Sequence, residues 1–297
     1  MTAPKPQRVE HQQTDKGYVP VYTTAAVEQP WASYSSADHA IWATLFERQR
    51  EVLKGRACRE FIDNQQRFGM TPDAIPRFDE LNEVLAKATG WTLIGVEGLL
   101  PELTFFEHLA NRRFPVTWWI RKPEQIDYIA EPDLFHDLFG HVPLLLNPMF
   151  ADYMQAYGRG GVKAHGVGAE ALVDLTRLYW YTVEFGLIKQ DDGLRIYGSG
   201  IVSSKGESIH CLESPAPNRI GFDLKRIMQT RYRIDTYQKT YFVIDSFEQL
   251  MEATRPDFRP IYAELAEQPS IAAGEVLASD RAFHRGTGEG WAKDGDV

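Results

Sequence analysis

Two histidines five residues apart, His136 and His141, lie in the stretch Glu131-Pro132-Asp133-Leu134-Phe135-His136-Asp137-Leu138-Phe139-Gly140-His141-Val142-Pro143, most of whose other side chains are aromatic or aliphatic. Imidazoles in apolar surroundings need partners, because an unpaired buried polar group is costly. A divalent ion would satisfy both rings, but two neutral ligands leave it short of donors and of negative charge. The segment Tyr179-Trp180-Tyr181-Thr182-Val183-Glu184-Phe185-Gly186-Leu187 sets a lone acid, Glu184, in an aromatic and aliphatic run and supplies the candidate third ligand. Two imidazoles and one carboxylate leave coordination positions open on one side, as in non-haem iron(II) sites that activate oxygen. A plainer reading stands beside this one: the histidines cap helix carbonyls, and Glu184 pairs with Arg177. Spacing alone does not choose between them.

The elements must bring these residues together. On a straight α-helix, positions five apart diverge by about 140°. Gly140 is therefore expected to end a helix and Pro143 to stop it resuming, which folds His141 back toward the ion that His136 faces. Glu184 is expected on a long helix from Ala169 to Lys189, where Leu172, Leu175, Leu178, Tyr179, Val183 and Leu187 recur at helical spacing. Upstream, Ile41, Trp42, Leu45, Phe46, Val52 and Leu53 predict a helix capped by Ser36, and Phe78 to Leu85 predict a second, closed by Gly90. Trp91–Val96 and Pro115–Ile120 read as strands, with the turn Gly98–Pro101 and a helix through Phe105 and Phe106 between them. Met149–Tyr157 reads as a helix and Gly158–Gly168 as a flexible connector. That connector lacks the strand and helix context of a dinucleotide fingerprint. Ile196–Val202 with Ser208–Leu212 suggests a hairpin, and Tyr241–Ile244 another strand. The expected fold class is mainly α with short β-strands (α+β): an irregular segment over 1–30, one domain over 31–272, and a loosely held tail over 273–297.

Composition narrows the function. A chain of 297 residues, 43% hydrophobic and 25% charged with net charge -9, reads as a globular protein without nucleic-acid or anionic-membrane partners. Cys58 and Cys211 are too few for a disulfide framework and have no CxxC spacing. With no signal-peptide pattern and no membrane-spanning run, a reducing, cytoplasmic setting is expected. His39, His108, His165 and His210 lack a close second ligand and read as satisfied surface or core residues. Arg121 could receive a substrate carboxylate in a bidentate fork, with a surface salt bridge as the alternative. A zinc hydrolase of the HExxH type would space its histidines by four and set a glutamate between them, which this pair does not. A non-catalytic metal-stabilised binding protein is the remaining alternative.

Both quoted stretches, together with Tyr197-Gly198-Ser199-Gly200-Ile201-Val202-Ser203-Ser204 and Asn111-Arg112-Arg113-Phe114-Pro115-Val116-Thr117-Trp118-Trp119, closely resemble the pterin-dependent aromatic amino acid hydroxylases over about residues 35 to 260. Within that family the chain looks most like the short bacterial enzymes that act on phenylalanine. The resemblance implies one catalytic domain, iron(II) on His136, His141 and Glu184, and hydroxylation of L-phenylalanine to L-tyrosine. O2 and a tetrahydropterin, either tetrahydrobiopterin or a bacterial analogue, are the implied co-reactants. Carried over by position, Arg121 would grip the substrate carboxylate, with Gly200 and Ser203 nearby, and Pro132 and Trp180 would shape the ring pocket. Phe105 would stack on the pterin, Gly98, Leu99, Leu100 and Tyr179 would complete its shell, and Asp137 would reach it through water. Ile129 and Thr176 depart from the animal enzymes' threonine and alanine. No stretch resembles the animal enzymes' regulatory domain or tetramer-forming heptad helix, so a monomer is implied. Tryptophan or tyrosine as substrate remains the alternative within the family.

Overall fold

The structure, a computed structural model, describes residues 26–291 and, before them, two paired strands, β1 (Gln12–Thr14) and β2 (Gly17–Val19). The rest of the segment expected to be irregular before residue 26 lies outside the described residues. Helix α1 (Ser36–Val52) opens on a capping box, in which the Ser35 side chain accepts the Asp38 N–H and the Asp38 carboxylate accepts the Ser35 N–H at 2.7 Å. Its cap is thus one residue earlier than expected. Helices α2 (Arg59–Arg67) and α3 (Phe78–Ala88) follow, then β3 (Thr92–Val96), α4 (Glu102–Ala110) and β4 (Arg113–Thr117). Strands β3 and β4 are parallel, with Thr92 opposite Arg113 and Val96 opposite Thr117. β4 therefore begins two residues before the expected strand and ends three before Ile120.

A π-helical turn over His136–His141 and a 3-10 turn over Val142–Leu146 lead into α5 (Pro148–Val167) and α6 (Ala169–Tyr179). The glycine-rich stretch expected to be a connector is therefore helical. A Cβ on Gly158 would lie 2.4 Å from the backbone nitrogen of Ala110, and one on Gly161 would lie 2.1 Å from the Phe106 ring. These glycines let α5 press against α4, a contact that offsets the roughly 1 kcal/mol each costs in a helix. The helix expected to continue to Lys189 stops at Tyr179. It becomes a second π turn, Trp180–Glu184, and then strand β5 (Leu187–Gln190).

The remainder comprises β6 (Gly193–Ile196), α7 (Ser199–Val202), α8 (Lys205–Glu213), β7 (Asn218–Gly221), α9 (Leu224–Gln229), β8 (Thr240–Ile244), α10 (Phe247–Ala253), α11 (Arg259–Ala266) and β9 (Ala282–His284). The expected hairpin of Ile196–Val202 with Ser208–Leu212 is not formed. Ile201 and Val202 are buried in a helical turn, and the Ser204 side chain caps α8 by accepting the Glu207 N–H. β6 pairs instead with β5 at the edge of a five-stranded sheet of order β6-β5-β8-β7-β9. The segment beyond Ala273 is tied to the other edge: β9 pairs antiparallel with β7, and the Gly286 N–H donates to Asn218 Oδ1 at 2.8 Å. Residues 292–297 lie outside the described residues. Phe135 and Phe139 stack at 4.8 Å inside the core, with Trp42 against Phe135 and Phe46 and Phe61 against Phe139, so the histidine turn is rooted in packed aromatics.

Candidate metal centre

In a π-helix the hydrogen bonds close over five residues, so positions five apart come onto one face. That is how His136 and His141 meet, with ring centroids 4.9 Å apart. Gly140 does not end the helix, contrary to the expectation drawn from its type; it sits inside the turn, where a Cβ would lie 2.9 Å from the Ser199 carbonyl oxygen. Its role is to admit α7. Pro143 occupies the first turn of the following 3-10 segment, where a missing N–H costs little. The second π turn ends on Glu184 and aims it at the histidines.

Three side chains converge. His136 Nε2 and His141 Nε2 are 3.1 Å apart, Glu184 Oε1 is 3.2 Å from His141 Nε2, and Glu184 Oε2 is 3.6 Å from His136 Nε2. Two donors at right angles on one ion, with bonds of roughly 2.1 Å, stand roughly 3 Å apart, so these residues fit a divalent metal. The tautomer of His136 also fits. The Ser203 hydroxyl donates to the Ser199 carbonyl at 2.7 Å, so its oxygen accepts from His136 Nδ1–H at 2.9 Å, which turns the Nε2 lone pair toward the centre. Burial lowers the His136 pKa to about 4 against the pull of Glu184, keeping the ring neutral. Burial pushes Glu184 up, but His141, His136 and the Ser199 hydroxyl hold it down to about 2. Arg177 pairs with Asp174 at 3.3 Å, so the plainer reading of a Glu184–Arg177 pair does not hold.

Asp137 is a competing carboxylate, since His136, Asp137 and His141 offer ligand atoms within 4.8 Å of one another. Its Oδ2 accepts the Thr117 N–H at 2.7 Å, and burial raises its pKa to about 7. Glu184, nearer and ionised, is the better anionic ligand.

Phe105 meets Tyr179 edge to face at 5.8 Å, and Tyr179 lies over His141 at 6.4 Å, giving an aromatic wall beside the histidines. Gly98, Leu99 and Leu100 follow β3 after Glu97, half-buried to buried. Pro132 is half-buried, and a Cβ on Gly200 would come 3.2 Å from Glu184 Oε2. Ser203 stands behind His136. Arg121 forms neither a surface salt bridge nor a free fork: Nε and Nη2 bind buried Asp133 at 2.9 and 2.8 Å, and neither bond uses Nη1. Asp133 also accepts the His136 N–H at 3.1 Å, which couples Arg121 to the histidine turn.

Sequence reasoning missed Asp133 and Ser199. Both were legible in principle, as a carboxylate three residues before His136 and a hydroxyl four before Ser203. A separate cavity of about 200 Å3, lined by Tyr157, Lys163, Leu175, Phe258 and Tyr262 among others, borders none of the candidate site residues.

Residues 18–266 match the biopterin-dependent aromatic amino acid hydroxylases, and the chain belongs to that family. It is 61% identical over 271 residues to a phenylalanine-4-hydroxylase of Ralstonia nicotianae, covering 91% of this chain and 86% of that one. A Chromobacterium violaceum phenylalanine-4-hydroxylase is likewise 61% identical, over 91% of this chain and 90% of its own. The crystal structure of the C. violaceum enzyme with bound oxidised Fe(III) superposes with a TM-score of 0.85 at 60% identity, covering 88% of this chain and 94% of that one.

Proposed function

We propose that this chain is a phenylalanine 4-monooxygenase, which converts L-phenylalanine to L-tyrosine with O2 and a tetrahydropterin at an iron(II) held by His136, His141 and Glu184. The observation that carries the reading is the convergence of two Nε2 atoms and one carboxylate at 3.1 to 3.6 Å. The phenylalanine named for the relatives supports that substrate over tyrosine or tryptophan.

Iron(II) and the reduced pterin, when bound, supply the electrons that activate O2 for transfer of one oxygen atom to the ring. The chain's own residues place the reactants. His136 and His141 present their Nε2 atoms, the His136 ring kept neutral by burial, and Glu184 the negative charge. Phe105 and Tyr179 offer flat faces to the pterin, beside Gly98, Leu99 and Leu100, with Asp137 as a further polar contact. Arg121, fixed by Asp133, turns its remaining N–H groups to the amino acid carboxylate, while Pro132, Trp180 and Gly200 bound the ring site and Ser203 steadies His136. The catalytic domain runs from about residue 31 and extends past 272 to include β9, and the protein acts as a cytoplasmic monomer. Two free, buried cysteines support the reducing compartment, and the net charge of -9 supports a small-molecule rather than nucleic-acid partner.

The test is to incubate the protein with iron(II), a tetrahydropterin and each of phenylalanine, tyrosine and tryptophan in air, and to identify products by chromatography. Pterin-dependent tyrosine from phenylalanine is expected, and a folded His136→Ala variant should lose both stoichiometric iron and activity. No pterin-dependent product from any of the three amino acids overturns the reading.

A further inference from the structure

The indole of Trp180 is gripped on three sides. Tyr232 stacks on it at 4.4 Å and 23°, Phe185 meets it tilted at 4.8 Å and 34°, and the indole N–H donates to Gln238 Oε1 at 3.0 Å. Two of these partners, Tyr232 and Gln238, come from the connection between α9 and β8, outside both π turns. Gln238 is only 2% exposed, and its amide has one possible orientation. The NH2 group donates to the Arg233 carbonyl at 2.7 Å, which leaves the oxygen facing the indole. Behind it, the Gln238 N–H donates to Glu207 Oε1 at 3.2 Å, and Glu207 also receives the Tyr241 hydroxyl. A buried network with its members satisfied in this way holds its geometry firmly. Trp180 is the first residue of the π turn whose last residue is Glu184, so the network ends on the wall beside the metal carboxylate.

We infer that Gln238 is a specificity-determining positioning residue, which fixes the tilt of the Trp180 indole and thereby sets the ring site to the single ring of phenylalanine over the double ring of tryptophan. The inference rests on the proposed placement of Trp180 in the ring site. Without the acceptor, a half-buried indole N–H loses its partner and the indole is driven to turn toward water, widening the site.

Gln238→Met keeps the length and removes the acceptor. With one hydrogen bond at stake, the expected result is a KM for phenylalanine raised about tenfold with kcat within about twofold. The phenylalanine-to-tryptophan ratio of kcat/KM should fall roughly fivefold or more, with iron content unchanged. Trp180→Phe, which deletes the N–H, should shift the same two quantities. Adding Gln238→Met to Trp180→Phe should then change them by less than about twofold, as expected of partners in one contact. Should Gln238→Met fail to fold, Gln238→Asn, which withdraws the acceptor by one methylene, is read in the same way. A folded Gln238 variant with unchanged KM and selectivity, or additive effects in the double variant, overturns the inference. If Trp180→Phe leaves both quantities unchanged in an active enzyme, the placement of Trp180 in the ring site fails, and this inference with it.

Discussion

The Ser203 hydroxyl decides which nitrogen of His136 can hold an ion, because its one proton goes to the Ser199 carbonyl and its oxygen must accept from Nδ1–H. Ser203→Ala removes that assignment. Losses of about 10- to 100-fold in iron affinity are usual when an outer partner of a ligating histidine is deleted. Stability should fall by only about 1 kcal/mol, since the Ser199 carbonyl keeps the Ser203 N–H at 3.1 Å. Chelator competition for iron alongside urea unfolding separates the two effects, and an unchanged iron affinity would show that the hydroxyl does not select the tautomer. Residue types announced the centre in sequence because His136, His141 and Glu184 are polar groups in apolar runs. Their supports were less visible. Ser203 is 67 positions from His136, and spacing carries no record of a hydroxyl behind an imidazole; the resemblance put it on the substrate side. Arg121 looked unattached for a similar reason, since its acid lies 12 residues on, beyond any helical or strand register.

Helices, more than side chains, are where the sequence misled. Apolar positions from Ala169 to Lys189 fit a 3.6-residue period, yet the chain runs through α6, a π turn and β5, each buried and so each apolar. A π turn has no signature of its own in a short apolar stretch, and both π turns here end on a residue of the candidate metal centre. The strands Thr92–Val96 and Thr240–Ile244, by contrast, were legible because β-branched and aromatic runs bounded by turns have few other solutions. Gly140 links the two π turns. Its missing Cβ lets the His136–His141 turn touch Ser199, whose hydroxyl lies 2.8 Å from Glu184 Oε2. Gly140→Ala is accordingly expected to cost about 1–3 kcal/mol by overpacking against Ser199. It should also lower iron stoichiometry, because relief of the clash moves the residue that steadies Glu184. Denaturation with metal analysis on the same sample checks both, and a variant with normal stability and full iron would mean that α7 yields without disturbing the centre.

Across the whole molecule, the five-stranded sheet and the helices packed on it enclose ionisable groups that are not ligands of the candidate metal centre, and one of them makes global stability depend on pH. Glu207 on α8 is buried with no basic partner among the described residues; burial raises its pKa to about 7, although the Tyr241 hydroxyl and the Gln238 N–H pull it down. The neighbouring Tyr241 and Cys211 are themselves held protonated by burial, so they do not titrate in the same range. The sign follows from comparing folded and unfolded chains. Below about pH 4.5 both hold the proton and Glu207 costs nothing extra. Between about 4.5 and 7 the unfolded chain releases its proton while the folded one retains it, so stability declines as pH rises, by about 3 kcal/mol in full. Above 7 the difference is constant. Glu207→Gln keeps acceptors for Tyr241 and Gln238 without the charge, and every other titrating group is common to both proteins and cancels in the comparison. Urea unfolding should therefore find the variant gaining on the parent between pH 5 and pH 7 and holding that advantage without further change by pH 8. A difference that stays flat over that interval would show that Glu207 ionises in the folded protein as readily as in the unfolded chain, its burial offset by the two hydrogen bonds.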